Sequence, residues 1–207
     1  MVTIALRRAS ERAAIRAAVH VLKRGGVIAF PTETVYGFGC DPRNTTAVAK
    51  IFKIKGRDEG KPLQLIAGTR SQVTRLSSVT GMAGRVARRY WPGPLTLLLP
   101  LRRGQRLSSR AAPRRTIGIR VSSHRFLQRL TKAFGGPIAA TSANVSGKPT
   151  ASSGRGIIRI FQDRAARPDL VLDGGTLPRC KPSTVARIRS DGTVEVLRQG
   201  SARIQSA

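Results

Sequence analysis

Short apolar runs, each stopped by a loop rich in proline, glycine or threonine, alternate with stretches of helical period along almost the whole chain. This alternation restricts the fold more than any other property, because it admits little besides helices layered on a sheet. Residues 27–30 are apolar and meet Pro31; residues 63–66, 95–99, 116–121, 137–140 and 170–172 read as further strands. Between them, Ala13, Ala14, Ala17, Ala18, Val21 and Leu22 recur at helical spacing after Ser10, a good N-cap, and Gly25 and Gly26 end that run. Asn44 caps a second helix with Val48, Ile51 and Phe52 on one face, helix resumes at Ser71 and over residues 82–90, and Ser122 or Ser123 caps another that reaches Phe134. Residues 32–41, 53–62 and 102–115 read as loops, the last one basic and exposed. Two final strands, 184–189 and 194–197, form a hairpin across Asp191 and Gly192. The expectation is an α/β fold: one domain spanning the 207 residues, a mixed sheet flanked by helices, with its core from about residue 9 to 200 and a frayed tail after Gly200.

The charge on this frame is lopsided. Lys and Arg number 38 against 10 Asp and Glu, 30 of the cations are Arg, and the formal net charge is +28. Residues 60–162 hold 19 Lys or Arg and no acidic residue. That span offers no carboxylate pair for acid–base work and no acidic cage for a metal, but it suits anions: phosphates, carboxylates, a nucleic-acid backbone. Two His, His20 and His124, leave little material for a catalytic triad or a two-His metal site. Cys40 and Cys180, 140 positions apart, read as reduced thiols rather than a disulfide framework or zinc spacing. No apolar run approaches the roughly 20 residues of a membrane span. The Arg-rich N-terminus lacks an apolar segment with a cleavage site and leads straight into a strand. The expectation is a cytoplasmic protein with no membrane partner.

Four segments that follow or flank strands concentrate small polar and cationic groups. In PTETVYG (residues 31–37), alternate Thr hydroxyls suit a small polar ligand, or close a turn on their own backbone. Lys55, Gly56 and Arg57, with Lys61 four residues on, set a point charge and a planar fork beside a glycine; Asp58 and Glu59 offer to neutralise them. Thr116, Gly118 and Arg120 share one face of a strand. An Arg on an apolar strand needs an anion, either a ligand carboxylate or phosphate, or Asp173 or Glu33. Ser142, Asn144 and Ser146 at a strand end suit a nucleotide, or an Asx turn. These groups position anions. They suit a reaction whose own substrates supply nucleophile and leaving group, as in nucleotidyl transfer.

Seven strings then occur in order: GVIAFPTETVYG (26–37), KGR (55–57), KPL (61–63), WPGPLT (91–96), IGIR (117–120), SANVSG (142–147) and PSTV (182–185). Together they resemble the TsaC/YrdC family, the L-threonylcarbamoyladenylate synthases, in its short single-domain form, over about residues 9–200. The resemblance implies a twisted sheet with a positively charged concave cavity. It implies an activity too: L-threonine, bicarbonate and ATP give threonylcarbamoyl-AMP and pyrophosphate, and a separate tRNA threonylcarbamoyl-transferase complex uses the product to modify tRNA at position 37. By the same resemblance, Thr34, Arg120, Ser142 and Ser183 bind L-threonine, with Arg120 on its carboxylate. Lys55, Arg57, Lys61, Thr116, Asn144, Ser152 and Arg198 bind ATP, and Lys55 and Arg57 neutralise the phosphates as catalytic residues. Mg²⁺ accompanies ATP as a substrate, held mainly by its phosphates. Ser122 stands where the family commonly has Pro.

Two other readings use the same residues. A double-stranded RNA or ribosome-associated factor would use the cationic concavity without catalysis, and tRNA or double-stranded RNA is a partner the charge allows. Aromatics at 4% speak against recognition by base stacking. A carbamoyl-handling module, as in hydrogenase-maturation or O-carbamoyltransferase proteins, comes third.

Overall fold

The computed structural model describes residues 1–58 and 60–204. From the N-terminus the elements are β1 (Val2–Ala5), α1 (Glu11–Lys23), β2 (Ile28–Phe30), β3 (Gly37–Cys40), α2 (Thr45–Lys55), β4 (Gln64–Ala67), α3 (Arg70–Leu76) and α4 (Gly81–Tyr90). They continue with β5 (Leu95–Pro100), β6 (Thr116–Val121), α5 (Arg125–Phe134), β7 (Ile138–Ser142), α6 (Gly154–Phe161), β8 (Leu170–Asp173), β9 (Thr184–Ile188) and β10 (Val194–Arg198). The strands join in one sheet in the order β1-β8-β2-β3-β7-β4-β6-β5-β9-β10. It is mixed: β1 and β2 lie parallel to β8, β4 parallel to β6 and β5 parallel to β9, while the other neighbours run antiparallel. The α/β sheet flanked by helices is therefore as the sequence indicates.

Both faces of the sheet are covered, and strand periodicity divides the side chains between them. Val27 and Ala29 face one core with Leu65, Leu97, Ile117 and Ile119, under α2, α3, α4 and α6. Ile28 and Phe30 face the other with Ile66, Ile138 and Leu172, under α1 and α5. A strand buried on both sides reads as a continuous apolar run, which is why residues 27–30 announce themselves in sequence.

The loop expected over residues 32–41 instead contains β3, paired to β2 and β7. Two glycines mask it, since glycine weakens a strand signal. Gly39 is required by close approach: a Cβ there would come within 2.7 Å of the Phe30 ring. β1, mostly exposed, and α6, capped by Ser153 Oγ accepting from Gly156 N at 3.1 Å, were also outside the expectation. The helix ending at Lys55 extends into the segment read as loop, closed by Gly56 with φ +57°. Asn44 caps α2 as expected, accepting from Ala47 N at 2.9 Å. Ser10 occupies the N-cap position of α1 without capping it; its hydroxyl donates to Ala5 O at 2.7 Å. Neither Ser122 nor Ser123 is the N-cap of α5: that position is His124, whose N–H donates to Ser122 Oγ at 3.1 Å.

The 102–115 segment is only partly exposed. Ser108, Ala111 and Ala112 are buried, and Arg110 O accepts from Leu63 N at 2.9 Å. The segment after Gly200 is tied down through Ile204, contrary to the frayed tail. Ala202 is buried, its carbonyl accepts from Thr184 Oγ1 at 2.6 Å, and Ser201 N donates to Pro182 O. Residues 205–207 lie outside the described residues. Among the described residues no helix is long and apolar enough to cross a membrane.

Candidate functional site

The C-terminal ends of β2, β6 and β7 and the open end of the β9–β10 hairpin, where β9 begins and β10 finishes, meet around a cavity of about 160 Å³. Ligands of open α/β sheets bind beyond strand ends in this way. Thr34, Arg57, Arg120, Ser142, Ser183 and Arg198 all line it. Gln64 lines it too, and the sequence reading passed over it, although a lone polar side chain in the apolar run 63–66 was the signal.

The loop after β2 builds one wall. Thr32 Oγ1 donates to Val35 O at 2.7 Å and accepts from the N–H groups of Thr34 and Val35 at 3.0 and 3.1 Å. Thr32 thus closes a turn on its own backbone and sets Thr34, buried and 3.0 Å away between hydroxyls, at the cavity. Further along, Tyr36 is fully buried. Its hydroxyl donates to Gly175 O at 2.7 Å and accepts from Gly174 N at 3.0 Å, tying this loop to the one after β8. Burial first, and the neighbouring Asp173, push the phenol up to about 12.

Arg120 is 5% exposed. Of the anions considered from sequence, Glu33 is its partner within the chain: Arg120 Nη1 donates to Glu33 Oε1, and Ser122 Oγ donates to Oε2 at 2.6 Å. Asp173 is engaged elsewhere, accepting from the N–H groups of Gly154 and Gly175. Burial lowers the Arg120 pKa and the Glu33 carboxylate opposes that.

Lys55 lies behind the wall rather than in it. Only 1% exposed at the end of α2, it donates from Nζ to Ser142 O at 2.6 Å, Asn144 O at 2.9 Å and Asn144 Oδ1 at 2.6 Å. An ammonium has three protons, so these bonds use its full donor capacity. Asn144 Oδ1 also accepts from Ser142 Oγ at 2.7 Å, and Ser146 N donates to Lys55 O at 2.8 Å. Lys55 is the peg on which the loop after β7 hangs. Burial first and the Arg57 charge second push it down to about 7. The three oxygens act the other way, favouring the charged form.

Arg57 is half-buried. Its Nε donates to Lys61 O at 2.9 Å and its Nη2 to Pro62 O at 3.3 Å, which aims the fork across the cavity. Arg198 Nη2 donates to Ser183 O at 2.8 Å, and Ser183 Oγ stands 3.1 Å from Thr96 Oγ1. Burial and the charge of Arg198 lower the pKa of Arg57; burial and the charge of Arg120 lower that of Arg198. Three guanidiniums thus converge on one small space, and no acidic side chain is among the residues that line it.

The remaining expected site residues stand apart. Lys61 is exposed and contributes its carbonyl to Arg57. Thr116 shares a face with Arg120, as its spacing indicates, but sits exposed at the start of β6, about 13 Å along the strand. Ser152 is exposed, and its carbonyl accepts from Leu177 N at 2.8 Å. Asn144 is held beneath by Lys55. Among the described residues no group of three or more His, Cys, Asp or Glu is placed to hold a metal ion.

Residues 20–200 match the family model Sua5/YciO/YrdC, described as telomere recombination. A threonylcarbamoyl-AMP synthase of Thiobacillus denitrificans is 39% identical over 171 residues, covering 79% of this chain and 85% of that protein. The crystal structure of P. abyssi Sua5 complexed with L-threonine superposes with a TM-score of 0.84 at 32% identity, over 96% of this chain; the chain spans 57% of that one. The crystal structure of E. coli YciO gives a TM-score of 0.84 at 30% identity, covering 98% of this chain and 96% of that chain.

Proposed function

This chain belongs to the Sua5/YciO/YrdC family, and we propose that it is a threonylcarbamoyl-AMP synthase acting on L-threonine, bicarbonate and ATP. The single observation that carries the reading is the convergence of Arg57, Arg120 and Arg198 on a cavity walled by Thr34, Ser142 and Ser183. Three cations serve a carboxylate and a polyphosphate; the hydroxyls serve a small polar amino acid.

In this reading the threonine amine adds to CO₂ drawn from bicarbonate and loses a proton, giving a carbamate. A carbamate oxygen attacks the α-phosphorus of ATP, the bond to the bridging oxygen breaks, and pyrophosphate leaves with that electron pair. Arg120 holds the amino acid's carboxylate and Thr34 its hydroxyl. Arg57 and Arg198 offset the charge that grows on the departing pyrophosphate, where preorganised donors act most strongly. Mg²⁺ enters with ATP as part of the substrate, on phosphate oxygens. The product passes to a tRNA threonylcarbamoyl-transferase complex, so the protein works alongside tRNA in the cytoplasm.

Purified protein with ATP and Mg²⁺ should release pyrophosphate only when L-threonine and bicarbonate are both present. Arg57→Ala should slow that release about a hundredfold while thermal unfolding hardly moves, because Arg57 bonds to loop carbonyls and not to the core. Release without threonine, or unchanged release in the variant, would count against the reading.

The excess charge supports a second, compatible role in holding RNA. If the 102–115 loop supplies it, neutralising Arg102, Arg103, Arg106, Arg110, Arg114 and Arg115 should flatten the salt dependence of tRNA binding, by about 0.7–0.9 in slope for each phosphate left unneutralised. An identical slope would remove this loop from any RNA surface.

A further inference from the structure

We propose that Glu33 is a positioning residue that fixes the amino-acid subsite by bolting the loop that carries Thr34 to the strand that carries Arg120. This rests on the reading of Arg120 as the carboxylate-binding group. Glu33 occupies the turn between Thr32 and Thr34, and both of those line the cavity. Its own carboxylate turns to the end of β6, 87 and 89 positions away in sequence, and both oxygens are used there: Oε1 by Arg120 and Oε2 by Ser122, the residue just past the strand. The ion pair is buried, with the Arg120 and Glu33 side chains 6% and 12% exposed. Ser122 is fully buried and accepts in turn from His124 N, so the bolt is anchored to the start of α5. Ser122 supplies the second strut.

An Arg side chain has many rotamers, and burial works against its charge. A carboxylate fixed on one Nη answers both: it supports the charge and holds the guanidinium plane. The bond to Glu33 engages Nη1, and Arg120 still lines the cavity. Arg120 therefore meets a ligand already charged and already turned. Since Glu33 is the chain neighbour of Thr34, the same bolt sets the distance between the groups that take the carboxylate and the hydroxyl of one small molecule.

The test uses pyrophosphate release by the full chain, with KM determined separately for L-threonine and ATP, and thermal unfolding alongside. Glu33→Ala should raise the threonine KM about tenfold or more while kcat and the ATP KM stay within about threefold. Glu33→Gln keeps an acceptor for Arg120 and a partner for Ser122, and should recover most of the threonine KM. Ser122→Ala removes one strut and leaves the ion pair, so it should fold even if Glu33→Ala does not, with a threonine KM raised about threefold. A threonine KM within twofold of the parent in a folded Glu33→Ala, or in Ser122→Ala should Glu33→Ala fail to fold, overturns the proposal. So do threonine and ATP KM values that rise together with Gln no better than Ala, the pattern of a merely structural residue. Absence of threonine-dependent release in the parent chain would instead overturn the synthase reading, and this inference with it.

Discussion

Lys55→Ala is expected to lose about a hundredfold or more in kcat/KM for ATP and for L-threonine alike, and to unfold roughly 6–12 °C below the parent chain. The double loss follows from where the ammonium is spent. Its three bonds go to Ser142 O, Asn144 O and Asn144 Oδ1, and Ser142 is itself a cavity wall. Removing it strands buried acceptors at about 3 kcal/mol in all. For a chain of this size each kcal/mol is roughly 2–4 °C. Lys55→Met restores volume without donors and should recover part of the stability and little of the activity. A residue acting only on phosphates would behave otherwise, losing ATP turnover alone at unchanged stability. Unfolding curves beside two-substrate kinetics tell these outcomes apart, and a stable variant impaired only toward ATP would refute the peg.

Arg120→Ala is expected to raise the threonine KM by about 10- to 150-fold, the equivalent of one charge-assisted contact worth about 1.5–3 kcal/mol, with a smaller change in the ATP KM. It should also destabilise the fold by about 3–5 kcal/mol, because Glu33 is left as an unpaired, largely buried carboxylate. The two losses separate in the double variant Arg120→Ala/Glu33→Ala, which removes both charges. Stability should return in large part and threonine affinity should not. A double variant that regained affinity would mean that the amino acid's carboxylate lies elsewhere, with Arg198 the next candidate.

Much of the architecture is written in local pattern. The buried strands read as apolar runs, Asn44 sits at the cap it predicts, and Asp191 with Gly192 turns the final hairpin. What failed locally failed for stated reasons: β3 is half glycine, with Gly39 pressed against the Phe30 ring, and β1 is mostly exposed. The site was legible in its cations and hydroxyls, less so in their roles. Lys55 stands in a run with Lys53, Arg57, Asp58 and Lys61 that reads as a solvated loop. Nothing local reveals that its Nζ turns inward, since its partners lie 87 and 89 positions away. Thr116 shows the opposite limit: periodicity gave its face correctly, but not that the strand would carry it out to solvent.

The β9–β10 hairpin joins the rest of the sheet through β5, and it brings Ser183 and Arg198 to the cavity. One wall is therefore made by β10, the last of the described strands. Without β10 the cavity would keep Arg57 and Arg120 and lose Arg198, one of its three guanidiniums. Under the synthase reading, tight nucleotide retention by truncated chains is expected only where they extend past Arg198.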